Sequence, residues 1–230
     1  MSKSTSGSST LWARCQLLPL QHFPAESLQD LLRPLGLAGG HKLHDAFNLV
    51  TLPVLVYMIF AYVFNIVSFE SFVLVAYSYF ATDMAWVLID PGCVKSPGVI
   101  AGHHTLTMLS MLFPIFHPVI RKHMVMCLAV ELNTWFLILR RVWHVPLVSV
   151  CFYVSWISIR LCVYPYLIYE LGLIYVQRSV RVGWINHFVL LPVIQSVFTL
   201  LNVKWTVDLV KRKRELWRDP GLAQAENKGL

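Results

Sequence analysis

At 230 residues, with 57% hydrophobic and only 13% charged residues and a mean hydropathy of +0.60, the chain is not an ordinary soluble domain, which carries about 25% charged residues. Its net charge of +7 does not mark a nucleic-acid binder, because the lysines and arginines sit between apolar runs and after the last one, as orientation signals and headgroup anchors do. Cys15, Cys93, Cys127, Cys151 and Cys162 form no C-x-x-C pair and imply no disulfide framework.

Residues 1–10 are rich in Ser and Thr and read as disordered. The run from Leu11 to Leu20 is short, is interrupted by Arg14 and lacks a small-residue cleavage site, so it is not read as a signal peptide. Leu28 to Leu37 is also too short to span, which makes the stretch up to residue 40 an interfacial lead-in. A membrane domain follows over 41–213, with spans at 46–66, 69–89, 99–117, 124–140, 146–168 and 184–204. A basic, polar tail over 214–230 closes the chain. The fold class is an all-α membrane protein, six transmembrane helices in a bundle or barrel around an internal polar, lipid-binding cavity. Asn65 to Phe69 reads as a tight turn, as do Asp90-Pro91-Gly92 and Ser96-Pro97-Gly98. Pro53, Pro114, Pro165 and Pro192 are expected to kink their spans, and Trp143, Trp184 and Trp205 to mark membrane boundaries.

Charge asymmetry orients the spans. Both tails and the connections on their side carry fourteen basic residues, while the opposite side carries only Arg121, Lys122, Arg178 and Arg181. Both termini are therefore expected in the cytosol. The run Lys211-Arg212-Lys213-Arg214 reads first as a stop-transfer anchor and second as a lipid-specific site.

Five ionisable residues fall inside apolar spans, where they are functional candidates by default: Asp83, His103, His104, Glu131 and Arg160. Counted at 1.5 Å per residue from the same membrane face, Asp83 and the histidine pair lie at one depth, roughly 6–9 Å in. That allows an Asp83–imidazole hydrogen bond, or leaves Asp83 as a cap near the headgroups. Glu131 and Arg160 agree in depth nearer the midplane and are expected to pair, either as a clamp between spans four and five or as part of a site. Asn133 and Thr134 beside Glu131 are suited to hydrogen bonds between helices. His41, His44, His103, His104 and His144 together suggest a cytosolic imidazole cluster of the di-iron oxygenase kind, but the H-x-x-H-H boxes of such sites are missing, so no metal and no bound cofactor are expected.

These landmarks, in their order, resemble the TLC-domain family of the endoplasmic reticulum membrane, which includes ceramide synthases and translocon-associated proteins. The matching residues are Asp83 at a span end, the Gly102-His103-His104-Thr105 opening, and Glu131-Leu132-Asn133-Thr134-Trp135-Phe136-Leu137, which is similar to the family's Glu-Leu-Ser-Thr-Pro-Phe-Leu. Arg160 followed by Pro165-Tyr166 resembles the fifth span, and the likeness covers roughly 40–213. It implies a lipid-handling protein of the endoplasmic reticulum, related to lipid homeostasis and sphingolipids, with membrane lipids as partners. In ceramide synthases the histidine pair is followed by two aspartates three residues apart; here those positions are Glu131 and Thr134.

Two functions stay open. In the first, Asp83, Glu131, Asn133, Thr134 and Arg160 line a cavity that binds, senses or positions a lipid. In the second, the cavity holds acyl-CoA as substrate, and His103 or His104 takes the proton from an attacking amine or hydroxyl, as an N-acyltransferase requires. The first is favoured, because the second acid is replaced by Thr134.

Overall fold

The computed structural model describes residues 40–143 and 145–219. The readings made for residues 1–39 and 220–230, for the His41 side chain and for His144 lie outside the described residues. Helix α1 (Gly40–Val63) and helix α2 (Phe69–Ile89) are joined by the expected tight turn. Within it Asn65 takes a φ of 57°, a left-handed conformation that Asn tolerates better than most side chains. Ser68 caps α2 by accepting the Ser71 amide at 3.2 Å. A 3₁₀ turn at Pro91–Cys93 leads to α3 (Pro97–Ser110), which opens with proline in its first turn.

Three of the six predicted spans are divided, each at a break that has a local cause. The third continues past Met111 as α4 (Leu112–Phe116). Pro114 has no N–H to give the Ser110 carbonyl, so the helix is interrupted one turn before it. The fourth, expected as one helix over 124–140, is α5 (Arg121–Leu128) and α6 (Val130–Val142). At the junction the amides of Ala129 and Leu132 bond three residues back, to Met126 and Ala129, at 3.3 and 3.1 Å. The fifth is α7 (Pro146–Ser155), a π-helical stretch at Trp156–Val163, and α8 (Tyr164–Val182). Pro165 withholds a donor from the turn before it, and the Tyr164 amide reaches back five residues to Ile159.

The last two spans outrun their predicted ends. Pro146–Val182 covers 37 residues, roughly 55 Å at 1.5 Å per residue, against a hydrocarbon core of about 30 Å. Helix α9 (Leu190–Arg218) follows a 3₁₀ turn at His187–Val189 and continues through the basic run instead of stopping at 204. Trp205 is consequently inside α9 and not at a boundary, whereas Trp143 and Trp184 are exposed at helix ends.

The helices close into a ring: α1 packs on α2, α2 on α3, α3 on α9, α9 on α8, α7 on α6, and α6 on α1. Among the described residues five stretches are long and apolar enough to cross a membrane, and the divided fourth span fills the remaining place in the ring. In each of those five only 28–33% of the most apolar window is buried. The remainder, including Val50, Leu74, Leu88 and Leu200, faces outward. Apolar surface on that scale is untenable in water and natural against lipid. The main core lies between α1, α2 and α5, where Leu52, Leu55, Phe72, Phe80 and Val125 are fully buried.

Candidate functional site

Asp83, on the inner face of α2, collects three donors. His44 Nε2 donates to its Oδ1 at 2.8 Å, Asn48 Nδ2 to the same oxygen at 3.0 Å, and His104 Nε2 to Oδ2 at 2.7 Å. Tyr79 donates to Asn48 Oδ1 at 2.8 Å. The group is almost sealed from solvent: Asp83 is 3% exposed, His44 and His104 6% each. Helical spacing builds it, since His44 and Asn48 on α1, like Tyr79 and Asp83 on α2, are four residues apart and share a face. The expected Asp83–imidazole bond therefore exists, and it is made by His104. A second imidazole, His44, joins it from α1.

His103 points elsewhere. Adjacent helical residues are about 100° apart, so when His104 meets Asp83, its neighbour turns toward α9. The His103 ring lies edge-on to Phe198 at 5.3 Å and to Trp205 at 6.0 Å between centroids. It also shares the wall of a cavity of about 10 Å³ with Thr107, Ser110, Glu131 and Tyr164. A neighbouring cavity of about 30 Å³ runs on between Ser110, Pro114, His123, Leu191 and Gln195. Spaces of this size hold one or a few water molecules. The hydroxyls around the smaller one are committed to backbone carbonyls: Thr107 to His103 at 2.9 Å, Ser110 to Thr107 at 2.8 Å and Tyr164 to Cys127 at 2.8 Å.

Glu131 and Arg160 are both buried, but the expected direct pair is not formed: no ion pair within 4.0 Å joins them among the described residues. Arg160, on the π-helical stretch, donates from Nε to Asn133 Oδ1 at 2.7 Å, from Nη1 to Asn202 Oδ1 at 2.6 Å and from Nη2 to Thr134 Oγ1 at 3.4 Å. Trp156 and Trp205 face its guanidinium at 4.8 and 5.3 Å. Asn133 is itself fixed by donating to the Phe152 carbonyl at 3.0 Å and to Ser155 Oγ at 2.9 Å. The reason is angular. Asn133 is two residues beyond Glu131, about 200° around the helix, so turning Asn133 to Arg160 turns Glu131 to the cavity. Thr134 stands between, within reach of both.

The five residues thus meet as two groups, a brace at Asp83 and an amide-solvated Arg160, with His103 and Glu131 sharing the space between. Sequence reasoning missed Asn48, Tyr79, Asn202 and Tyr164, although a lone Asn in an apolar span, such as Asn202, is a usable signal. Of the five imidazoles in the cluster reading, His44 and His104 are tied to Asp83, His103 turns away, and His41 and His144 lie outside the described residues. Among the described residues no group of three or more His, Cys, Asp or Glu side chains is placed to hold a metal ion.

A family model described as TLC domain matches residues 49–211, from the middle of α1 to the basic run of α9. No curated protein and no solved structure matches the chain.

Proposed function

We propose that this chain, which belongs to the TLC-domain family, binds and positions or senses a membrane lipid without performing chemistry on it. The observation that carries this reading is the unequal placement of the histidine pair. His104 donates through Nε2 to Asp83, and its other nitrogen, Nδ1, is buried without a partner and away from both cavities. A general base needs its lone pair within hydrogen-bond reach of the proton it takes. His104 has no space beside that nitrogen and acts as a brace. The lipid enters by parting α3 from α9, where the contact is made by the rings of His103, Phe198 and Trp205. The family resemblance favours an endoplasmic reticulum membrane and a role in lipid homeostasis, sphingolipids included. The charge asymmetry favours cytosolic termini.

Acyl transfer from acyl-CoA to an amine is the competing reading. Its support is His103, which faces Glu131 across the shared cavity. The experiment that separates the two uses protein purified in mild detergent. Bound lipids are extracted and identified by mass spectrometry, and long-chain acyl-CoA is offered with several amine acceptors. A retained lipid class with no acyl-CoA consumption is expected. Turnover that His103→Gln abolishes would establish the enzyme instead, since losing a general base costs roughly 10²–10⁴ in rate.

A further inference from the structure

A second histidine pair sits at the other end of the bundle, remote from the basic run of α9. His117 follows the last residue of α4, and His187 opens the 3₁₀ turn ahead of α9. Their rings stack with centroids 5.0 Å apart at 26°, and their Nε2 atoms face one another at 3.0 Å. Each is held from its own element. The His117 amide donates to the Phe113 carbonyl at 2.8 Å. Next to His187, Asn186 accepts the Phe188 amide at 3.0 Å and donates to the Gly183 carbonyl at 2.7 Å and to Ser179 Oγ at 3.0 Å. Phe113 and Phe188 flank the rings.

Two imidazole nitrogens held face to face in this way suit an ion as well as a shared proton. With metal–nitrogen bonds of about 2.0–2.1 Å, a 3.0 Å separation subtends roughly 94° at the metal, and a few tenths of an ångström of opening brings it to the tetrahedral angle. We propose that His117 and His187 form a two-histidine site for a divalent transition metal of the zinc class, clasping the end of α4 to the start of α9. No third His, Cys, Asp or Glu among the described residues completes the set, so water fills the other positions. His123, also at this end, leans on Glu170 at 3.8 Å. Imidazole is a preferred ligand of zinc, copper and nickel. Arg178, one of the basic residues on this side, lies over the Phe188 ring at 5.2 Å. The clasp joins two walls of the larger cavity, Pro114 from α4 and Leu191 from α9, so an ion there tightens the bundle around it.

The test uses tag-free, full-length protein in detergent, stripped with chelator and titrated with zinc chloride at neutral pH. A saturable rise in melting temperature and one zinc retained per chain are expected. His117→Ala and His187→Ala should each lose both responses, while His117→Cys, which keeps a ligating atom, and His123→Ala should keep them. No rise in the unaltered protein, or the same rise in both alanine variants, overturns the site. Should the variants fail to fold, the unaltered protein in acid supplies the answer, because a protonated imidazole has no lone pair with which to ligate. Zinc stabilisation that persists there overturns the site as well.

Discussion

At the scale of single residues, the centre of the molecule is an account of donors and acceptors. Asp83 offers only acceptors, and three side-chain donors meet it inside the bundle. Replacing it with Asn keeps its size but turns an NH₂ group toward two imidazole donors. Hydrogen bonds to charged groups contribute about 1.5–3 kcal/mol, and Asp83→Asn should lower stability by about that amount. Asp83→Ala, which strands all three donors, should lower it further. Melting curves of the two variants check this, and an unchanged midpoint for both contradicts the brace. The Asp83–His104 bond was legible because both residues are counted from the same membrane face, so rise per residue fixes their depth. Which histidine makes it was not legible, since depth says nothing of direction around the helix axis. His44 was noted, but for an imidazole cluster, because the count of histidines at one face does not reveal a partner on the facing helix.

The elements show where periodic reasoning holds and where it stops. Helix α2 matches its predicted span at both ends, Phe69 and Ile89, because Ser68 caps one end and Asp90-Pro91 closes the other. Pro114 and Pro165 do accompany breaks in their spans, whereas Pro53 lies inside the unbroken α1 and Pro192 in the first turn of the unbroken α9, and the form of the two breaks was not readable. Pro165 yields an eight-residue π-helical stretch, of a kind frequent at functional sites, and that stretch sets the direction of Arg160. The Glu131–Arg160 expectation failed for the same reason. The two side chains do share Thr134 as a neighbour, but the direction of each depended on a helix break at Ala129 and on the π-helical turn. Arg160 keeps its charge in the bilayer by another route, three neutral oxygen acceptors and two indole faces. Trp205 was assigned to a boundary because hydropathy falls where the basic residues begin, while α9 itself runs on to Arg218.

For the whole molecule, the class was legible in composition, since 13% charged residues is about half of what a soluble chain carries, and the outward-facing spans of the structure agree with it. Ring closure was outside its reach, because which helix packs on which is decided by the inner faces. Fourteen basic residues against four are the ground for expecting both termini on the cytosolic side. Single cysteines introduced in 1–10, 118–123 and 221–230 should show the two tails labelled together and 118–123 labelled only from the opposite face; a tail labelled from the lumen contradicts this. The lipid-handling account rests on the division of labour between two neighbouring histidines. Its most direct test compares melting temperature and retained lipid on the same preparations of His103→Leu and His104→Leu. The account predicts that His104→Leu loses about 1.5–3 kcal/mol of stability while its folded fraction keeps the lipid, and that His103→Leu melts like the unaltered protein but retains less lipid. Equal deficits in both variants, or full lipid retention by His103→Leu, would contradict it.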